Sequence, residues 1–367
     1  MNSKSHNGRW SIFFVFGFLV ACTSEPDVPL GQEQVKPGED EIIQSIGALL
    51  LGHLEEQYLN KRTLRDTHPK SNGCVKGTLT VHEDISPEYQ YGVFQGGKSY
   101  PIWMRFSNSV EEITDDEETD FRGLGVKLFN VRGERLSEPG DEFHTQDFLL
   151  LGHDGFFAAN GEEFFDFFDA SFKGQTPWFL VTHLRGAYNL FSGAKRYANP
   201  LDVQWNSVSP YALGPKKDDG SYTNVVRYGI RSCGKNKGTI LDDPSPDYLE
   251  ENLQEQLQNG EGCLHFMIQL QTDAKNMPTE NTLIRWDQGE SPFIKIATIR
   301  IPSQIFTSEK QKEFCENLSF NPWHGLEVHR PIGSINRARK SVMKLISDYR
   351  LKQNNITRTE PTGMEEF

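Results

Sequence analysis

The sequence predicts an α+β domain built on an antiparallel β-barrel, with an N-terminal helical arm and a closing C-terminal helix. Three observations carry this. Short apolar stretches of extended character recur between clusters of Gly, Asn, Asp and Pro; a three-to-four periodicity over Ile42–Tyr58 precedes them; and a second helical stretch, Ser334–Arg350, follows the last of them.

The arm reads as amphipathic because Ile42, Ile46, Leu49, Leu50, Leu54 and Tyr58 fall on helical spacing. Strands are predicted at Val75–Val81, Tyr100–Phe106, Val126–Val131 and Phe148–Leu151. Helices follow over Glu162–Phe172 and Trp178–Phe191; Phe164, Phe165, Phe167, Phe168 and Phe172 make the first too aromatic for exposure and mark it as core packing. Three later strands are Val225–Arg231, Leu264–Gln271 and Phe293–Ile301, the last alternating strictly enough to carry two unlike faces. The chain contains no internal repeat.

At the N-terminus Lys4 and Arg9 precede an apolar run, Trp10–Val20, that is too short to span a bilayer comfortably. A basic flank, a short apolar stretch and a small residue describe a secretory signal over residues 1–21. Leu19-Val20-Ala21-Cys22 resembles the lipobox of bacterial lipoproteins, which implies a diacylated Cys22, export, and anchoring to a bacterial membrane. Thr23 stands where an Asp would signal inner-membrane retention, so the outer membrane is expected, with the protein facing the periplasm or the cell surface. Residues 22–40 are rich in Pro, Glu, Gln and Gly and read as a flexible tether, 41–358 as one domain, and 359–367 as a disordered tail.

The net charge of −13 argues against nucleic acid and anionic lipid as partners. The acidic run Glu111–Glu118 lacks the alternating ligands and turn glycine of a calcium loop and reads as a solvated loop. Beyond Cys22, the cysteines Cys74, Cys233, Cys263 and Cys315 allow three pairings, among which the sequence does not choose; none of their spacings is that of a zinc ribbon.

Familiar catalytic signatures are missing: there is no Gly-x-Ser-x-Gly elbow, phosphate loop, His-Glu-x-x-His or dinucleotide fingerprint. Four short blocks stand out instead. They are Arg65-Asp66-Thr67-His68-Pro69-Lys70, then Ile102-Trp103-Met104-Arg105-Phe106-Ser107-Asn108, then Asp120-Phe121-Arg122-Gly123-Leu124-Gly125-Val126-Lys127-Leu128, and last Phe320-Asn321-Pro322-Trp323-His324 with the helix from Asn336 to Arg350. On that helix Arg339, Met343, Ser347 and Arg350 share one face, and two arginines there are costly to bury without anions.

In order and spacing these blocks resemble the catalase superfamily, closest to its small catalase-related members. The resemblance is poor between about residues 174 and 260. It implies haem b as cofactor, His68 as the distal base, Arg65, Arg105 and Arg350 as partners of the haem propionates, Ser107 beside the cofactor, and Arg339 against the proximal ligand. Three departures bear on activity. Met343 stands at the position of the proximal tyrosine, where a thioether is a poor axial ligand for ferric iron. His144 aligns with the asparagine that positions peroxide. Thr67 precedes His68 as in the related allene oxide synthases, which act on fatty-acid hydroperoxides. The expected function is therefore a haem peroxidase or organic-hydroperoxide-converting enzyme, poor in hydrogen peroxide dismutation and acting on peroxide or lipid hydroperoxide. The alternative is a haem- or ligand-binding lipoprotein of little activity on the same fold.

Overall fold

The computed structural model describes residues 28–137, 141–234, 236 and 238–367; the predicted leader and Cys22 lie outside the described residues. Helix α1 (Glu39–Gln57) leads into four strands, β1 (Ser71–Val81), β2 (Ser99–Asn108), β3 (Arg122–Leu128) and β4 (Gln146–Leu151). Three helices follow, α2 (Gly161–Phe172), α3 (Thr176–Thr182) and α4 (Leu184–Gly193). The second half runs β5 (Trp205–Asn206), β6 (Tyr211–Lys216), β7 (Tyr222–Ser232), α5 (Tyr248–Asn259), β8 (Gly262–Leu270), β9 (Ile294–Ile301), α6 (Glu309–Asn317) and α7 (Ser334–Gln353).

Every pairing is antiparallel, in the order β5-β4-β3-β2-β1-β9-β8-β7-β6, and the two-residue β5 bonds to both β4 and β7. That double pairing closes the sheet into a barrel with β6 outside it, which leaves few free strand edges. The interior is filled by apolar side chains from alternate positions, among them Met104 and Phe106 of β2, Leu124 and Val126 of β3, and Phe148 and Leu150 of β4. By the same alternation Arg105, Ser107, Gly123, Gly125, Leu149 and Leu151 lie on the outer surface of β2–β4. Helix α7 packs Ala338 and Val342 against Ile46 and Leu50 of α1 and Phe168 of α2, so the expected aromatic helix does serve as core.

The cysteines pair as Cys74–Cys315 and Cys233–Cys263. The first joins β1 to α6 across 241 residues of sequence; the second joins the ends of β7 and β8.

Several expectations need correction. The span 22–40 is not all tether: Tyr222 donates its backbone N–H to Gly31 (2.8 Å), Gly31 donates to Gln271 Oε1 (2.9 Å), and Glu33 pairs with Arg337 (2.8 Å). Nor is the tail disordered, since Trp103 Nε1 donates to Glu365 (3.0 Å) and the Phe367 ring packs 5.1 Å from Phe314. The acidic run is not uniformly solvated: Asp116 is fully buried, bonded by Lys70 (2.9 Å), Asn72 (3.1 Å), Asn108 (3.0 Å) and the Leu249 N–H (3.0 Å). The predicted helix over Trp178–Phe191 breaks at His183, whose ring stacks on Phe179 at 3.9 Å, while Thr182 Oγ1 donates back to the Phe179 carbonyl. No helix among the described residues is long and apolar enough to cross a membrane.

Cross-links that close long loops constrain the unfolded chain most. Cys315→Ser is therefore expected to destabilise the protein by about 2–5 kcal/mol, read as a lower thermal midpoint than that of the intact protein, with Cys263→Ser, which opens a much shorter loop, costing less.

Candidate functional site

His68 lies on the outer face of β2 and β3, and α7 joins the same corner through Arg350, which shares Glu316 with Arg105. His68 sits just ahead of β1 with φ 64°, a left-handed conformation uncommon outside glycine, which signals local strain held by its surroundings. Arg105 holds that conformation by donating to the carbonyls of His68 (2.9 Å) and Pro69 (3.3 Å). The imidazole Nδ1 lies 3.0 Å from the Asn108 carbonyl and 3.1 Å from Ser107 Oγ. A carbonyl only accepts, so this network assigns the proton to Nδ1 and leaves the Nε2 lone pair free to take another. Burial, and then the neighbouring Arg105 charge, pushes the imidazole down to about 3, so it is neutral at physiological pH.

The ring lies directly on β3. A Cβ at Gly123 would come 2.4 Å from His68 Cε1 and Nδ1 and 2.9 Å from Ser107 Oγ, so only glycine admits the histidine here. Gly125 plays the same part for Phe320, whose ring would be 2.8 Å from an added Cβ. These contacts explain why β3 starts at Arg122 rather than at the predicted Val126. The two glycines interrupt the β-type pattern, yet they sit inside the strand because rings lie on them.

The arginines gather at one carboxylate. Arg65 Nε and an Arg105 terminal nitrogen each lie 3.7 Å from Glu316 Oε2, and Arg350 bonds Glu316 Oε1 at 2.9 Å. Arg65 also donates to the carbonyls of Cys315 (3.2 Å), Glu316 (3.1 Å) and Leu318 (2.6 Å). Three guanidiniums around one carboxylate leave a formal excess of two positive charges. Burial, followed by repulsion from Arg65, lowers both Arg105 and Arg350 to about 9, and burial also lowers Arg65. The Nε–H groups of Arg65 and Arg105 are buried without a hydrogen-bond partner. Such a cluster is incomplete without anions.

On α7, Ser347 Oγ meets Ser319 Oγ at 3.3 Å, and Asn321 donates to the Lys340 carbonyl (3.3 Å). The face carrying Arg339, Met343, Ser347 and Arg350 is thus turned to the chain after α6. Arg339 bonds Asn336 (3.1 Å), and burial lowers its pKa. Met343 is half-buried on this face. Tyr349 is raised by burial and by Glu55 of α1, which places it towards that helix instead.

The structure thus brings together His68, Ser107, Arg65, Arg105 and Arg350, with Arg339 and Met343 on the facing helix and Thr67 next to His68 in the chain. It does not bring His144 there: its side chain is 70% exposed, beside Glu360 (3.6 Å). The β4 residues opposite Gly123 and Gly125 are Leu151 and Leu149, so the strand bearing the expected polar residue offers aliphatic side chains at this level. Sequence reasoning missed Glu316 and Asn108, and read no role into Gly123 and Gly125, although two glycines within a strand block were a usable signal.

A second buried polar cluster lies further along β3 and β4. Lys127 bonds Glu142 and Asp147 (2.7 Å), and His324 bonds Asp141 (3.0 Å) and Asp147 (3.1 Å), while Asp147 also accepts the Asn321 N–H (2.9 Å) beside Phe320. Glu142, Asp147 and His324 have the spacing of a metal site, but the Lys127 ammonium already bonds both carboxylates. Burial pulls His324 down, yet the hydrogen bonds to Asp141 and Asp147 outweigh it and raise the imidazole to about 9.

Gly123→Ala is expected to displace the His68 ring and to destabilise by about 1–3 kcal/mol, checked by the imidazole resonances of His68 and by denaturant unfolding. A pKa raised on folding gives stability that is complete below the unfolded value near 6.5 and lost as pH rises through about 9. The unfolding midpoint should therefore fall between pH 7 and 10, and His324→Gln should flatten that slope.

No family model matches the chain. In sequence it is 23% identical over 285 residues to peroxisomal catalase A of Saccharomyces cerevisiae, covering 70% of this chain and 53% of that protein. It thus spans about half the length of that curated relative. Among solved structures it is similar to a fungal catalase (TM-score 0.63, 19% identity, 90% of this chain and 67% of that one). It is also similar to a bacterial catalase (TM-score 0.59, 17% identity, 95% and 67%) and to catalase A of Saccharomyces cerevisiae (TM-score 0.59, 19% identity, 89% and 68%). The barrel and its flanking helices give this chain the catalase fold, and in sequence it is similar to a catalase over 285 residues.

Proposed function

We propose that the protein binds haem between the outer face of β2–β4 and α7 and acts on organic hydroperoxides in preference to hydrogen peroxide. The single observation that carries this is the buried arginine cluster. Arg65, Arg105 and Arg350 exceed Glu316 by two charges and leave two buried Nε–H groups without a hydrogen bond, which matches the two carboxylates of a haem edge in charge and in donors. Bound there, haem would supply an iron centre for cleaving a peroxide O–O bond.

The protein's own part begins at His68. Its neutral Nε2 takes a proton from the hydroperoxide, and its Nδ1–H stays fixed by the Asn108 carbonyl, so the same nitrogen can return the proton to the departing oxygen. Gly123 and Ser107 hold the ring in that orientation. Leu149 and Leu151 give the neighbouring strand an apolar character that suits an alkyl chain better than a small polar peroxide. Thr67 supports the same preference through its likeness to the allene oxide synthases.

The second reading, a haem carrier or ligand-binding protein of little activity, is favoured by Met343. Its thioether is neutral and supplies none of the electron donation of an anionic axial ligand. The lipid anchor at Cys22, with a periplasmic or surface location at the outer membrane, belongs to this proposal too and rests on the N-terminal sequence.

Protein produced with a haem supply is expected to show a Soret band, and Arg105→Leu to weaken haem retention at least tenfold, measured by transfer to apomyoglobin. No Soret band removes the haem reading. A band without turnover of either peroxide class selects the carrier, in which case Met343→Tyr is expected to shift the ferric spectrum and raise turnover.

A further inference from the structure

The segment from Lys173 to Arg196 builds an outward-facing apolar surface that the catalytic reading does not use. In α4 the large apolar residues Leu184, Tyr188 and Phe191 fall at i, i+4 and i+7, the spacing of one helix face, and they are 73%, 59% and 70% exposed. Trp178 and Val181 of α3 extend this surface at 71% and 65% exposure. The opposite face of α4 is small or polar: Gly186, Ala187, Asn189 and Gly193 are buried. The helix is amphipathic in the reverse sense of an ordinary surface helix.

Its orientation is fixed. A Cβ at Gly186 would come 2.2 Å from the Phe157 carbonyl oxygen, and one at Gly193 2.5 Å from the Phe121 ring. Asn189 donates to the carbonyls of Phe156 (2.7 Å) and Leu283 (3.1 Å). Rotating α4 to bury its aromatic face would drive side chains into backbone.

Charge says what covers the surface. The chain carries −13 overall, yet no acidic residue occurs between Asp169 and Asp202, where Lys173, Arg185, Lys195 and Arg196 are found. Neighbouring acids offset this at the edges, Asp169 with Lys173 (2.7 Å) and Glu117 with Arg196 (3.2 Å). Net charge alone argued against anionic lipid; the local distribution reverses that argument at this face. Exposed Trp, Tyr, Phe and Leu flanked by cations match the headgroup and acyl boundary of an anionic bilayer.

The start of the described chain docks on the loop that holds the buried face of α4. Gln32 and Gln34 dock at Thr279 (2.9 Å) and Glu280 (2.8 Å), and that loop reaches α4 at Leu283. Six chain steps separate Cys22 from Val28, a reach of about 20 Å at most. A lipid on Cys22 would therefore keep the domain within that reach of the membrane.

We propose that the α3–α4 surface inserts into the interface of an anionic membrane, with Trp178, Val181, Leu184, Tyr188 and Phe191 in contact with lipid. The anchor argument rests on the lipoprotein reading; the surface itself does not. An aromatic chain, Phe179 to Phe167 (5.5 Å) to Phe157 (4.4 Å), leads inward from this surface to the apolar cluster containing Leu151, which pairs with Gly123 under the His68 ring.

The test uses the full chain reconstituted in vesicles of phosphatidylcholine with or without phosphatidylglycerol, carrying brominated acyl chains as quencher. Tryptophan fluorescence is expected to be quenched more with phosphatidylglycerol present. That quenching is expected to be lost in Trp178→Phe and in the double variant Leu184→Glu, Phe191→Glu, with circular dichroism unchanged. Equal quenching in wild type and Trp178→Phe overturns the proposal. So does reversible dimerisation in lipid-free solution that the double variant abolishes, since the surface then belongs to a second copy. Mass analysis of Cys22 separates the two readings: an unlipidated Cys22 with Trp178 quenched removes only the anchor, and a lipidated Cys22 without quenching removes only the insertion.

Discussion

Three guanidiniums share the single carboxylate of Glu316, and much of the architecture around the site can be understood as what holds that arrangement in place. The arginines come from three distant stretches: Arg65 before β1, Arg105 on β2 and Arg350 on α7. Glu316 is adjacent to Cys315, whose disulfide to Cys74 fixes α6 to β1. Arg65 binds the carbonyl oxygens of Cys315, Glu316 and Leu318 where the same helix ends. Buried like charges repel, and unpaired ones carry a large desolvation cost, so this corner persists only because the rest of the domain stabilises it. The barrel interior does so with a closed apolar core, and α7 contributes through Ala338 and Val342 packed on α1 and α2.

The alternation of β-strand side chains separates stability from chemistry. Inward residues of β2–β4 are generic core, Met104, Phe106, Leu124, Val126 and Phe148, while the outward set is specific: Arg105, Ser107, Gly123 and Gly125. A register slip of one residue would exchange the two sets, and the tight contacts at Gly123 and Gly125 penalise any slip. Lys127 and its buried acids perform the corresponding task one pleat further on, holding β3, β4 and the segment of Phe320 and His324 in a single frame.

Strong periodicity was legible in the sequence: α1, α7, β8 and β9 lie where apolar spacing puts them, and the barrel follows from the run of short strands. The elements that escaped, α5, α6, β5 and β6, are polar, very short or, in β6, interrupted by Gly214-Pro215, and tertiary contacts rather than propensity decide them. The arginines and His68 were legible because their blocks are contiguous. Glu316 was not, because its role exists only once Cys74 and Cys315 meet. Asp116 was hidden in a run of acids that differ in burial and not in residue type. His144 was misplaced by counting along a strand whose start the sequence leaves undefined; the chain before β4 turns out to Glu360 instead.

Function turns on an asymmetry between the two sides of the site. On the side of β1–β3, a neutral imidazole is oriented by a carbonyl and a hydroxyl, seated on glycine and surrounded by cations, which is a poised proton acceptor. On α7 the corresponding position holds the neutral Met343 between Arg339 and Arg350, and the neighbouring β4 surface is leucine. Rapid dismutation of a small polar peroxide needs polar groups to position two successive molecules; a hydroperoxide with an alkyl chain can be positioned by apolar contacts alone. On the proposed reading, the arginines and His68 are the parts that hold an anionic ligand and move one proton, and Met343 with the β4 leucines are the parts that govern which peroxide is used and how fast. On that reading, the division makes haem retention and peroxide preference separable by substitution.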